Sequence, residues 1–360
     1  MKSWDAIIIG GGIIGLSLAI SLRKQGLRVL IVERGEPGRE ASYAAAGMLA
    51  GSGSEIPAAL KPLAEESARM YPEFVHELED ESGIKVDLRE HGTILISEDG
   101  SFPEKAERFA WDQLHTLEPR LTGGEPGIPP QSGRESRQAA FLTECSVDPR
   151  ALVSAALKAA KHRGVDISSG TEVRRILVDA GRVAGVETDK ASYAAPNVVN
   201  CAGAWAGCIG PERFPVKPIK GQMLAVVGGP GLKHVIRSET VYLVPRSDGR
   251  IVIGSTLEDA GYDKRIQVDA IQKIFQAATD LVPALTASRQ HEAWAGLRPG
   301  TADELPILGK TSTAGYFVAS GHYRDGILLA PITARVMTET ILEKACAHDV
   351  TAFSPSRFNS

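Results

Sequence analysis

The sequence predicts an α/β chain in which a βαβ-type unit is interleaved with an α+β unit built on an antiparallel sheet. Three observations predict it. The chain has 360 residues, more than the ~100–200 of an ordinary single domain. Residues 6–33 read as strand, glycine turn, helix, strand, acid. Residues 214–256 alternate polar and apolar side chains, the period of antiparallel strands. Composition sets the outer bounds. A hydrophobic fraction of 43% and a charged fraction of 23% are ordinary for a globular chain and exclude a mainly disordered, fibrous or membrane-bundle protein. The net charge of −4 gives no bulk reason to expect nucleic acid or an anionic membrane as partner. The four cysteines, Cys145, Cys201, Cys208 and Cys346, form no CxxC pair. They suit neither a metal centre nor a disulfide scaffold, so no metal and a reducing cytoplasm are expected.

The opening unit justifies itself residue by residue. Between Asp5 and Arg23 lie 17 uncharged residues, just short of the ~18 that make a spanning helix a candidate. Asp5 precedes the run and glycines interrupt it, which suits neither a membrane span nor a secretory leader. Residues 6–9 are an apolar run fit for a strand buried on both faces. Gly10, Gly12 and Gly15 follow in GxGxxG spacing, and residues 13–25 read as a helix closed by Gly26. A second β-branched run at 28–32 ends at Glu33. Gly10 permits the tight turn, Gly12 lets backbone approach a pyrophosphate, and Gly15 lets helix and strand pack closely. Amides at the helix start face the phosphates. Glu33 is placed to accept hydrogen bonds from a ribose. Together these form a Rossmann-like dinucleotide fingerprint, far more specific than a lone GxGxxG. The small-residue run at 42–48 (SYAAAGM) can pass beneath a large flat ring.

Further along, residues 55–82 read as an acidic helix and 97–137 as a segment rich in charge, glycine and proline. A helix is expected from 147–150 to about His162. Strands are expected at 164–168, 172–178, 182–188 and 197–200. The last leads into Ala202-Gly203, a second place where backbone could meet a dinucleotide. Strands at 222–227, 240–244 and 250–254 and an amphipathic helix at 264–281 complete the middle. This places a dinucleotide-binding domain at 1–75, 147–212 and 295–360, and a substrate domain at 76–146 and 213–294.

Two late segments carry chemistry. The first is 294–301, WAGLRPGT; the second is 319–331, ASGHYRDGILLAP. Gly326 is expected to open a helix to about Ala345, whose N-terminal partial charge would stabilise a ring that gains electrons. Arg298 and Arg324 stand beside glycine in otherwise apolar surroundings. A guanidinium is suited to grip a carboxylate through two parallel hydrogen bonds.

Taken with DAIIIGGGIIG at 5–15, AAAGM at 44–48 and VYLVPR at 241–246, these segments resemble the glycine oxidases of the D-amino-acid oxidase family nearly end to end. The resemblance implies FAD as a non-covalent cofactor. It implies an FAD site lined by Ile13, Ile14, Glu33, Arg34, Ala41, Ser42, Ala46, Gly47, Met48 and Val173, and by His322, Tyr323, Arg324, Asp325, Gly326, Ile327 and Leu328. It implies that Arg298 holds the substrate carboxylate, with Tyr242 and Arg324 completing the pocket. The family pattern has a histidine two residues before the tyrosine and a methionine in the next strand; this chain has Thr240 and Leu257, which bear on pocket shape.

The reaction so implied is oxidative deamination of glycine, small amines or small D-amino acids. A hydride passes from Cα to flavin N5, O₂ becomes H₂O₂, and the imine hydrolyses to a 2-oxo acid and ammonia. Thiamine thiazole synthesis is the implied context. A homo-oligomer is compatible with this reading. Three alternatives differ from it. Sarcosine oxidases attach FAD through a cysteine near the position of Arg298, and none lies between Cys208 and Cys346. A dehydrogenase that passes electrons to a quinone would need a membrane-facing surface, and no polybasic or amphipathic segment marks one. A non-catalytic FAD module would not need Arg298, Arg324 and Tyr242.

Overall fold

The computed structural model describes residues 3–51, 56–109, 111–121 and 138–358. The opening fingerprint folds as read. Strands Ala6–Ile9 and Val29–Val32 are buried along their whole length and pair in parallel, Ile7 opposite Leu30. Such β-branched runs suit a central sheet with both faces covered. Helix Ile13–Lys24 joins them and ends at Gly26, whose φ of +84° favours glycine.

This unit seeds a six-stranded sheet in the order Ile307–Lys310, Tyr316–Ser320, Val198–Asn200, Ala6–Ile9, Val29–Val32 and Asp166–Ser168. All neighbours are parallel except the first pair. On one face pack helices Ile13–Lys24, Lys61–Ser82, Pro149–His162 and Ala330–Ile341, in one continuous apolar core. On the other, a three-stranded antiparallel sheet (Val173–Asp179, Arg182–Thr188, Ser192–Ala194) covers Ile7, Ile9 and Leu30. Helix Pro149–His162 shows how local sequence sets a boundary. Asp148 caps it, its carboxylate accepting from Arg150 N–H at 2.9 Å, and Pro149 sits in the first turn where no N–H is needed.

The second sheet has eight strands: Arg289–Gly300, Lys217–Val227, Ile251–Gly254, Tyr242–Pro245, Val235–Arg237, Thr93–Ser97, Gln138–Leu142 and Glu107–Phe109. It is antiparallel except where Val235–Arg237 meets Thr93–Ser97. Helix Val268–Leu281 packs on it.

Three sequence expectations need correction. The acidic helix begins at Lys61, not near 55, with Pro62 in its first turn; residues 52–55 lie outside the described residues. The charge-rich 97–137 segment supplies a strand, Glu107–Phe109, and a helix, Trp111–Leu117, while 122–137 lie outside the described residues. The last helix begins at Ala330 rather than Gly326 and runs to Ile341. Pro331 explains that start: its fixed φ and missing N–H suit a first turn and not a helix interior. Residues 326–329 form turns instead.

Candidate active site

A cavity of about 790 Å³ runs from the glycine turn of the six-stranded sheet to the eight-stranded sheet. That is within the ~300–1,000 Å³ of typical small-molecule sites.

At one end the fingerprint forms the wall. Gly10 has φ +105°, and a Cβ there would meet Cys201 O at 2.4 Å. A Cβ on Gly15 would meet Gly10 O at 2.1 Å, so Gly15 serves packing and does not line the cavity. A Cβ on Gly12 would meet only Ser42 Oγ, at 3.3 Å, leaving that backbone open to the cavity. Ile13 N–H donates to Ser42 Oγ at 3.0 Å, so the Ser42 hydroxyl proton remains free to donate. Glu33 ends its strand with each carboxylate oxygen accepting one amide: Gly11 N–H to Oε2 at 2.8 Å, Gly35 N–H to Oε1 at 2.9 Å. Each oxygen keeps lone-pair capacity for a hydroxyl of the ligand. Beyond Glu33 the Arg34 guanidinium lies 3.6 Å over the Trp205 ring, a cation–π contact that fixes both side chains.

The middle of the cavity is floored by small residues. Ala41, Ser42, Ala46, Gly47 and Met48 line it, as do Ile14, Val173, Ala202 and Gly203. Gly47 needs its φ of +77°, and a Cβ there would strike Val147 O at 2.0 Å. His322, Tyr323, Arg324, Asp325, Gly326 and Ile327 line the cavity as well, but Leu328 does not. Leu328 is a core side chain, 1% exposed, because its place in the turn points it at the helices. Its carbonyl accepts from Ser67 Oγ at 2.6 Å and that of Ile327 from Tyr71 Oη at 2.5 Å. Burial pushes the Tyr71 phenol up, so it stays a donor. Burial likewise pushes His322 down to about 3. A neutral imbidazole ring is thereby kept against Thr333 Oγ1, 3.1 Å from Nε2.

The far end is built by register. Arg298 lies in strand Arg289–Gly300 opposite Ile219, extended as a residue before proline should be. Its Nη2 donates to Ser255 Oγ at 2.7 Å and its Nη1 to Thr256 O at 3.3 Å. Both partners are neutral, and no acidic side chain among the described residues pairs with this half-buried cation. Tyr242 crosses Gly254, where a Cβ would lie 2.6 Å from its Oη, and that hydroxyl faces Met223 Sδ at 3.7 Å. Arg324 lines the cavity differently: it is exposed and folded onto its neighbour, 4.9 Å over the Tyr323 ring. Sequence reasoning missed Gly221, Met223, Ser255 and Thr256, which line this end. A signal existed for Gly221 and Gly254, since glycine inside a strand pattern marks close approach of another group.

A Rossmann-type sheet whose glycine turn and ribose acid open on a long cavity defines a dinucleotide-binding protein. The far end, with its cation and phenol, is suited to hold a small anionic molecule. The chain matches the family model for FAD dependent oxidoreductase (DAO) over residues 5–340 and belongs to that family. It is 37% identical to the bifunctional protein ThiO/ThiG of Trichormus variabilis, covering 98% of this chain and 55% of the relative, so it spans about half of that protein. It is 31% identical to hydrogen cyanide synthase subunit HcnC of Pseudomonas aeruginosa, over 99% of this chain and 97% of the relative. Glycine oxidase from Geobacillus kaustophilus shares its fold, with a TM-score of 0.89 at 31% identity over 99% of both chains. The cavity fits the family's FAD: Gly12 leaves backbone open, Glu33 keeps free lone pairs, and Tyr43 does not line the cavity, so the residues of 41–48 that do are no larger than serine before Met48.

Proposed function

We propose that this protein oxidises glycine and other small amino acids or amines, with FAD as cofactor and O₂ as electron acceptor. The observation that carries the reading is Arg298: a cation in the cavity whose own partners are both neutral. The similarity to glycine oxidase and to a ThiO-containing protein supports the same substrate class and a role in thiamine thiazole synthesis. FAD, when bound, supplies the two-electron oxidation of the amine to an imine, with O₂ reduced to H₂O₂.

The chain's residues bind and orient. Arg298 offers two parallel N–H donors to the substrate carboxylate, a geometry an ammonium cannot match. Tyr242 presents its hydroxyl beside it. Glycine has no side chain to grip, so fixing the carboxylate fixes most of its orientation. The neutral amine is set toward the interior of the cavity, and no side-chain base is required there. Water then hydrolyses the released imine to a 2-oxo acid and ammonia. Gly10, Gly12, Ile13, Ser42 and Glu33 hold the phosphate and ribose end, and the 41–48 floor with 322–327 holds the ring. Arg324, exposed at the cavity wall, completes the substrate end. Thr240 and Leu257 also line that end, and both are exposed; they admit glycine, sarcosine and small D-amino acids. The domain partition at 75/76, 146/147, 212/213 and 294/295 belongs to the same proposal, as does the cytoplasm as compartment. No helix among the described residues is long and apolar enough to cross a membrane.

The test is oxygen consumption and peroxide release over glycine, sarcosine, small D-amino acids and their L counterparts. Glycine or sarcosine and small D-amino acids should be oxidised, with L-amino acids rejected. Acid or heat should release free FAD from the yellow protein. Strict L-selectivity, electron transfer to a quinone analogue with no O₂ uptake, or flavin that stays with the denatured chain would each refute part of this reading.

A further inference from the structure

Arg298 does not hold its own position. Its guanidinium lies flat against Gly221, where a Cβ would come within 2.3 Å of Nη1. Its two acceptors, Ser255 Oγ and Thr256 O, belong to the 255–267 loop. That loop contains no helix and no strand beyond a single bridge at Glu258. Left to itself such a segment would sample many conformations, and the anchors of Arg298 would move with it.

A buried polar network on strand Lys217–Val227 fastens the loop. Gln222 N–H donates to Thr256 Oγ1 at 2.8 Å, and the Thr256 hydroxyl donates to Glu258 Oε1. The Gln222 side chain is fully buried; its Nε2 donates to Glu258 Oε1 at 2.8 Å and its Oε1 accepts from Gln267 N–H at 2.7 Å. Lys220 and Glu258 exchange backbone hydrogen bonds of 2.9 and 3.0 Å. The Lys220 ammonium is 1% exposed, donates to Arg265 O at 2.7 Å and lies 3.6 Å from Glu258 Oε2. A buried ammonium is costly unless paired. Every partner it has among the described residues belongs to the loop, so the charge is satisfied while the loop is seated.

We propose that Lys220, Gln222 and Glu258 are positioning residues for Arg298. They seat the 255–267 loop, and the loop holds the guanidinium in its carboxylate-gripping pose through Ser255 and Thr256. None of the three lines the cavity, so their effect on substrate passes through Arg298. The inference rests on the reading of Arg298 as the carboxylate grip.

The experiment uses holoenzyme with FAD bound and acetate as a probe that has the carboxylate but no amine. Acetate affinity is read from the flavin absorbance shift, beside glycine kcat and KM, FAD content and Tm. Glu258→Ala should weaken acetate and raise the glycine KM about five- to thirtyfold, a loss of hydrogen-bond size, with kcat less affected and FAD retained. Glu258→Gln keeps an acceptor oxygen for Gln222 and Thr256 but loses the charge that faces Lys220, and should recover part of the loss. In the Arg298→Ala background, Glu258→Ala should cost nothing further, because no guanidinium remains to be positioned. Should Glu258→Ala fail to fold, Thr256→Val removes one hydroxyl link at nearly constant volume and is read by the same criteria. Unchanged acetate affinity in the variant that folds, or losses that simply add in the double variant, would overturn this inference alone. Unchanged acetate affinity in Arg298→Ala would overturn the carboxylate reading and this inference with it.

Discussion

The two ends of the cavity are built in opposite ways. The glycine-turn end is local: residues 10–33 supply the turn, the helix start and Glu33, and Gly11 N–H closes the unit on Glu33 at 2.8 Å. The Arg298 end is assembled from strands far apart in sequence, with Gly221, Tyr242, Ser255 and Arg298 brought together by sheet register. A local site can be changed without disturbing the rest of the cavity. A register-built site depends on every strand that passes through it. Substitutions at the two ends should therefore separate cofactor binding from substrate binding.

The largest effect is expected at Arg298. Arg298→Ala removes one partner of a desolvated charge pair, a loss of ~2–5 kcal/mol or more, about thirtyfold to several thousandfold. Glycine oxidation should fall by that factor while FAD content and Tm stay near wild type. Arg298→Lys should recover only part of it. Gly221→Ala should come close behind. The new Cβ would overlap the guanidinium, the mobile end of a flexible side chain, so the fold can yield and the grip cannot. Steady-state kinetics beside a melting curve will check this; wild-type KM in Gly221→Ala would show that the guanidinium pose is not critical.

Glu33→Ala probes the opposite end and should reverse the pattern. Losing acceptors of this kind costs ~1–3 kcal/mol, roughly tenfold to a hundredfold in FAD affinity. Glycine KM in FAD-saturated protein should be unchanged. Equilibrium dialysis of FAD measures the first quantity, and a rise in KM at saturating FAD would mean the two ends are not independent.

The effect that is smallest near neutral pH, and grows only on acidification, concerns His322. Burial pushes its pKa down to about 3, whereas the unfolded chain titrates near the ordinary ~6.5. Between those values the unfolded state binds the extra proton. Stability is therefore full above pH ~6.5 and falls as the pH drops toward 3, by up to about 1.4 kcal/mol per pH unit from this group. Urea melts at several pH values should show a shallower acid slope in His322→Gln than in wild type; identical slopes would assign the acid sensitivity elsewhere.

The same contrast explains what could be read from the sequence. Strands Ala6–Ile9 and Val29–Val32, helix Ile13–Lys24 and the start of helix Pro149–His162 were legible because each depends on near neighbours. Helix Ala330–Ile341 was legible in kind but not in its start, since Gly326 suggested a helix opening and Pro331 set the first turn. Gly15 and Leu328 belong to recognisable motifs, yet packing turns both away from the cavity. Arg298 was legible as a guanidinium in an apolar, glycine-rich segment, Tyr242 only through the resemblance of its motif, and the neighbours that hold Arg298 were not. Ser255 and Thr256 look like ordinary loop residues until pairing of Lys217–Val227 with both Ile251–Gly254 and Arg289–Gly300 sets them against the guanidinium. That pairing is long-range, and no short window of sequence encodes it.

The most direct test of the whole account is anaerobic reduction of the flavin by glycine, followed at its visible absorbance band in wild type and Arg298→Ala. Dithionite serves as a reductant that needs no carboxylate grip. The account predicts that dithionite bleaches both proteins alike, while glycine bleaches wild type and reduces Arg298→Ala at least about thirtyfold more slowly at equal concentration. Reduction of Arg298→Ala by glycine at the wild-type rate and concentration dependence would contradict it, and the carboxylate grip would have to be sought elsewhere in the cavity, first at Arg324.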